Sequence, residues 1–354
     1  MGIPIDSQLL KSIDKENMFD VLKNFHKQIK DAVQIAEKID VTSIDTSGIN
    51  NIVANGLGGS AIGGDFARSY TTYEIAVPTF VNRNYSLPSF VNSNTLSIIS
   101  SYSGNTEETN SAYNEAIKRN CKIICISSGG SVEKTAIEYK HLLVKIPGGL
   151  QPRCALGYSF FTLIIILSKL GFIKILSSDI DAVISNIERK SVLYTEFNSE
   201  ENLAIKLANE LKGKLPIVYS SVDILDVVNL RWRGQLSENA KVLAYGNFLP
   251  EMNHNELVGW KLNEDILKKI VVLMLEDDED NERIKLRMEI TSGIMKKYAD
   301  NIIKIKGEGN KRLERIFDLV YLGDWVSYYL AILNKIDPTP VEAINFLKNK
   351  LTEN

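Results

Sequence analysis

Apolar positions along this chain follow two alternating patterns, one at helical spacing and one of short continuous runs. Between residues 8 and 39, Leu9, Ile13, Phe19, Val21, Leu22, Phe25, Ile29, Val33 and Ile35 recur at helical spacing, which predicts one or two opening helices. A short run at 52–55 then enters GLGGSAIGGDFARSY, where glycines mark a strand end and the pattern turns helical. The succession returns with a strand at 96–101 before a helix near 107–119, a strand at 122–127 before GGSVEKTAIEY, and a strand at 142–146. Beyond the polar stretch 198–202 it repeats: a strand at 217–220, a helix through Arg231, a strand at 270–275, a helix over 283–298 and a strand at 302–305. Strands alternating with helices in this way predict an α/β fold with two doubly wound parallel sheets in tandem. The long helical pattern of 311–334 is followed by Asp337-Pro338-Thr339-Pro340 and a last helix, with Thr339, Pro340 and Glu342 at the N-cap, N1 and N3 positions of a capping box. The expected organisation is a first sheet domain with its opening helices at 1–155, connecting helices at 156–200, a second sheet domain at 201–310 and C-terminal helices at 311–354.

Length and composition agree with two domains, since 354 residues at 44% hydrophobic content suffice for two cores. The net charge of -3 gives no bulk attraction to nucleic acid or to an acidic membrane, so any anion site is local. The most apolar segment, 158–167, is about ten residues long and reads as a buried helix rather than a membrane span. The first twenty residues mix charge into every turn and lack a basic segment leading into an apolar one, so a cytoplasmic protein is expected. Cys121, Cys125 and Cys154 show no paired zinc-ligand spacing and read as small buried hydrophobes. The acidic run at 276–280 lies between a strand and a helix and reads as a solvated helix start, not as a metal site.

Three stretches carry candidate chemistry. In GLGGSAIGG (56–64), which includes Gly59 and Ser60, small residues allow the backbone to approach an anion at a helix N-terminus; the same glycines also suit tight strand–helix packing. In SYSGNTEET (101–109), Ser101, Ser103 and Thr106 crowd the next strand–helix turn, where one hydroxyl serves as an N-cap and several suit a phosphate monoester. Both stretches fall at strand carboxyl ends of one sheet, where open α/β folds bind ligands, and together they favour a phosphate site. The third, residues 231–260, holds Glu238 and His254, which read either as structural residues or as a proton-transfer pair. His26 and His141 read as structural.

At these positions the chain resembles the bifunctional phosphoglucose/phosphomannose isomerases, a branch of the phosphoglucose isomerase superfamily built from two sugar-isomerase (SIS) domains. The resemblance rests on GLGGSAIGGDF, SYSGNTEET, QPRCALGY, QLSENAK, the MNHNE segment whose histidine lies sixteen residues after Glu238, and DPTPVEAINFLK. It implies flavodoxin-like αβα sandwiches and a hexose 6-phosphate substrate held at its phosphate by Gly59, Ser60, Ser101, Ser103 and Thr106. Glu238 is implied as the base of a cis-enediol mechanism, Arg153 as the group that stabilises the enediolate, and His254 with a C-terminal lysine, Lys348 or the nearby Lys350, as the ring-opening residues. Thr339 is implied as the residue that gives room for rotation about C2–C3, alongside its reading as a helix cap. No cofactor and no metal are implied, and the expected assembly is a homodimer in which His254 crosses the interface. Two alternatives stay open: an isomerase of another sugar phosphate, such as a pentose or an amino sugar, and a non-catalytic sugar-phosphate sensor. The mixed charge of the first 40-odd residues offers no basic helix-turn-helix module for the sensor.

Overall fold

A computed structural model describes residues 5–353 and divides them into two compact units: residues 25–185, and residues 186–353 together with the opening residues through Asn24. The chain begins with α1 (Ser7–Ile13) and α2 (Met18–Lys23), which belong to the second unit. The carboxylate of Asp14, between them, accepts from the Tyr328 hydroxyl at 3.0 Å and from the amides of Met18 and Phe19.

The first unit comprises α3 (Phe25–Lys38), β1 (Asn51–Asn55), α4 (Gly59–Thr71), β2 (Thr79–Asn82), β3 (Thr95–Ser101), α5 (Glu107–Lys118), β4 (Lys122–Ser127), α6 (Gly130–Tyr139), β5 (Leu142–Lys145) and α7 (Leu156–Lys169). The unit boundary then falls within α8 (Ser177–Thr195). Its five parallel strands lie in the order β2-β1-β3-β4-β5. Every residue of β1 and β3 is buried, as expected of central strands in a parallel sheet covered on both faces. Val53, Ile99, Tyr113 and Cys125 pack in one of the cores beside it. All three thiols are free and buried, and burial pushes Cys121 up to about 11 and Cys125 up to about 12, as expected of packing residues. His141 is tied to the Tyr113 hydroxyl at 2.7 Å.

The second unit continues with α9 (Leu203–Leu211), β6 (Leu215–Ser221), α10 (Asp226–Glu238), β7 (Tyr245–Leu249), α11 (Glu264–Leu267), β8 (Ile270–Glu276), α12 (Glu282–Met295), β9 (Asn301–Lys306), α13 (Arg312–Leu333) and α14 (Glu342–Thr352). Its four strands are parallel in the order β7-β6-β8-β9, the β2-β1-β3-β4 order over again. Helix α13 is long and apolar enough to cross a membrane by composition, yet that whole stretch is buried inside the protein, as a core helix is. It receives α10 through Trp232, whose indole N–H donates to the Leu319 carbonyl at 2.8 Å, and through Asn239, whose amide donates to Ser327 Oγ at 3.0 Å.

Two local expectations are corrected. The acidic run is not a solvated helix start: Asp277 and Asp280 are buried, and Arg315 grips Asp277 with two bonds of 2.8 and 2.9 Å while also donating to Glu279. A guanidinium more than thirty residues away accounts for Asp277 and Glu279, Asp278 pairs with Lys306, and α12 starts instead on Asn281, whose side chain accepts from the Arg283 amide. The capping box at Thr339 does not form either. Helix α14 begins at Glu342 with Val341 in the N-cap position, while Thr339 is buried and its amide donates to Asp337 Oδ1 at 2.9 Å.

Because Trp232 is fully enclosed between α10 and α13, Trp232→Ala is expected to lower stability by about 3–5 kcal/mol, read from the denaturant midpoint at unchanged slope.

Candidate functional site

In the first unit the turns after β1, β3 and β4 meet by backbone packing. Strand β1 ends at Asn55, Gly58 takes φ +55° before α4, and the Gly56 amide donates to the Asn82 carbonyl at 3.1 Å. A Cβ on Gly59 would lie 2.3 Å from the Pro152 carbonyl oxygen, so only glycine lets the start of α4 touch the turn that bears Arg153. After β3, Gly104 at φ +72° rests against Gly129, whose carbonyl oxygen would lie 1.7 Å from any Cβ. Asn105 Oδ1 accepts from the Ser131 amide and completes the interlock.

The hydroxyls sit within this frame. Ser60 Oγ accepts from the Tyr102 amide at 2.9 Å, and Ser103 Oγ from the Asn105 amide at 3.2 Å, so each keeps its own proton to donate. Ser101 Oγ accepts from the Gly104 amide and donates to Thr106 Oγ1, both at 3.1 Å. Thr106 occupies the N-cap position of α5 but its side chain caps no amide, so capping does not account for its hydroxyl. Hydroxyls with protons to donate thus gather at the β1/β3 switch point, an arrangement whose chemistry suits an anion.

Arg153 is buried, in a single 3-10 turn (Pro152–Cys154) that leads into α7. Gln28 of α3 fastens this junction from both sides: its amide donates to the Cys154 carbonyl at 2.9 Å and its oxygen accepts from the Gly157 amide at 2.7 Å. Nothing in the sequence singles out Gln28, because its partners lie more than 120 residues away.

In the second unit Glu238 is the last residue of α10 and half-buried. The helix owes its register to polar contacts. Arg231 donates from Nε and Nη2 to the two oxygens of Asp324 at 3.0 and 2.7 Å, and Gln235 Nε2 adds a bond of 2.9 Å. Burial pushes the Asp324 carboxyl up, against the pull of Arg231. Just past the helix, Lys241 folds back so that its ammonium meets the Glu238 carbonyl oxygen at 2.5 Å and the Pro338 carbonyl oxygen at 3.1 Å. The residue after Pro338 is Thr339, so QLSENAK and DPTP, far apart in sequence, come together here.

His254 follows a 3-10 turn (Glu251–Asn253) and is exposed, with its side chain in no hydrogen bond or ion pair among the described residues. Its neighbours are tied down. Asn253 donates to Thr291 Oγ1 at 2.7 Å, and the Glu256 carboxylate accepts from Asn247 Nδ2 at 2.7 Å and from the Tyr219 hydroxyl. Burial and the Glu256 carboxylate both push the Tyr219 phenol up, so it stays a donor. Lys348 is exposed on α14 without a bound partner among the described residues, whereas Lys350 pairs with Glu353 at 2.6 Å. Among the described residues no group of three or more His, Cys, Asp or Glu is disposed to hold a metal.

Comparison with known proteins extends this picture. Residues 200–351 match the family described as the bacterial phospho-glucose isomerase C-terminal SIS domain. The chain is 44% identical to a bifunctional phosphoglucose/phosphomannose isomerase of Caldicellulosiruptor bescii over 95% of this chain and 99% of that protein. It is 38% identical to the Aquifex aeolicus protein of the same name, over 95% and 98%. Among solved structures, a hypothetical protein of Thermus thermophilus superposes with a TM-score of 0.74 at 12% identity, covering 98% of this chain and 92% of the other, a likeness of fold.

Because a methyl group at residue 59 meets backbone, Gly59→Ala is expected to weaken inorganic phosphate binding by roughly tenfold or more with the far-ultraviolet circular dichroism unchanged, as titration calorimetry would read.

Proposed function

Because the chain belongs to the bifunctional phosphoglucose/phosphomannose isomerase family, we propose that it interconverts glucose 6-phosphate and mannose 6-phosphate with fructose 6-phosphate through a cis-enediol. It is an aldose–ketose isomerase. Such a reaction needs a base beside C1 and C2, a positive group for the developing oxyanion, and a hold on the remote phosphate that turns binding energy into orientation. The observation that carries this reading is the anion cradle, in which Ser60, Ser103 and Thr106 keep donor protons beside the amides after β1 and β3.

In this reading Glu238 moves the proton between C1 and C2, and Arg153 stabilises the enediolate charge with its planar guanidinium. These residues supply the base and the electrophile themselves, and no metal enters the scheme. His254 and Lys348 open the ring; Lys348 is preferred because Lys350 is engaged by Glu353. Glucose and mannose phosphates differ at C2, which is planar in the enediol, so one base serves both if the sugar rotates about C2–C3. Thr339 gives room for that rotation, a role supported by the ammonium of Lys241, which binds both the Glu238 carbonyl and the one just before Thr339. The reading includes a homodimer whose sites each use the partner subunit's His254, working in the cytoplasm in glycolysis and gluconeogenesis. The unengaged imidazole, on a turn whose other polar groups are tied down, supports it.

Glu238→Gln is expected to keep fructose 6-phosphate affinity but to lose solvent exchange at C2 by a factor of about 10² or more; unchanged turnover removes Glu238 from the mechanism. Coupled assays with glucose 6-phosphate, mannose 6-phosphate and arabinose 5-phosphate test the substrate, and turnover of the pentose alone refutes the hexose assignment. For the dimer, mixing inactive Glu238→Gln and His254→Ala chains is expected to restore activity, since one of the two sites in each hybrid is then intact. No recovery refutes the exchange of His254.

A further inference from the structure

Lys241 adopts φ +57°, the left-handed region that glycine usually fills just beyond a helix end. A side chain there is uncommon, and in this chain it has a use. The turn swings the lysine stem back over the end of α10, and the ammonium then donates to the carbonyl oxygens of Glu238 and Pro338 at 2.5 and 3.1 Å. One charge thus neutralises an orphan carbonyl of the helix C-terminus and joins it to the segment leading into α14. That segment is fixed on its other side as well, where Asp337 Oδ1 accepts from the Thr339 amide at 2.9 Å, and Thr339 itself is buried.

We infer that Lys241 is a positioning residue for stereochemical choice at C2: it sets the spacing between Glu238 and Thr339, and thereby how much glucose 6-phosphate and how much mannose 6-phosphate arise from one enediol. The inference rests on the reading of Glu238 as base and of Thr339 as the residue beside the C2–C3 bond. Both epimers share the intermediate, so their ratio depends on the relative cost of presenting either face of C2 to the same carboxyl group. Differences of that size are set by small displacements of groups already in place. A lysine that spans two backbone carbonyls holds such a spacing without touching the sugar.

The test is the initial ratio of glucose 6-phosphate to mannose 6-phosphate formed from fructose 6-phosphate, read by separate coupled assays on the full-length enzyme. A ratio within one sample does not depend on how much protein is folded. Lys241→Met is expected to change it by roughly threefold or more, whereas Lys241→Arg, which can still donate to both carbonyls, should stay near the parent value. Lys241→Gln serves as a second loss variant if the methionine protein is too unstable to assay. Thr339→Ala separates the two levels of the claim. If it shifts the ratio while Lys241→Met and Lys241→Gln do not, the positioning role is overturned and the reading of Thr339 stands. If Thr339→Ala leaves the ratio unchanged, the reading of Thr339 fails and the inference fails with it.

Discussion

The paired contact between Arg231 and Asp324 is the interaction on which the second unit depends. Helix α10 is not a helix with one greasy face. It buries Asn229, Arg231 and Gln235 along with Val227, Val228, Trp232 and Leu236, so apolar burial alone would not fix its rotation. The guanidinium and the carboxylate satisfy one another only at one rotation and one height of α10 against α13, and Trp232 and Asn239 confirm that register with bonds of their own. Removing one partner of such a buried pair costs about 3–5 kcal/mol, because it strands the other charge. The same register fixes the direction of Glu238, the last residue of the helix, which turns with it.

In the first unit the corresponding constraint is backbone against backbone. Gly59 lets the start of α4 lie against the turn at Pro152 and Arg153, and Gly104 lets the turn after β3 lie against the one after β4, each closer than a side chain would permit. Gln28 adds a clamp from α3 on the junction carrying Arg153. The hydroxyls of Ser60, Ser101 and Ser103 hold their places by accepting from main-chain amides, so the cradle is ordered by the fold before any anion arrives.

Much of this was legible in the chain. Seven of the strands fall where short apolar runs appear in the sequence, and the central ones are the most deeply buried because both sheet faces are covered there. Two of the four edge strands, β2 and β7, escape such reading: few of their residues are fully buried, and neither TFVN nor YGNFL alternates or runs apolar for long. The glycine and hydroxyl turns were equally visible, since each falls where a short apolar run gives way to a helical pattern. What the sequence hides are side chains whose partners are distant. The acidic run reads as surface until Arg315 is set beside it, and Thr339 reads as a cap until the helix is seen to begin at Glu342. Asp14 and Tyr328, 314 residues apart, likewise give no local sign that the opening helices belong with the second sheet.

The composition of the turns proposed to hold phosphate bears on how the protein responds to acidity. The groups identified after β1 and β3 are aliphatic hydroxyls and the peptide N–H groups that donate to them, none of which gains or loses a proton near neutrality. A phosphate monoester has a second ionisation near pH 6, so across the physiological range the charge that changes at this cradle belongs to the ligand. Under the proposed function, the grip on the phosphate therefore follows the ligand's own titration rather than that of any hydroxyl or amide in these turns.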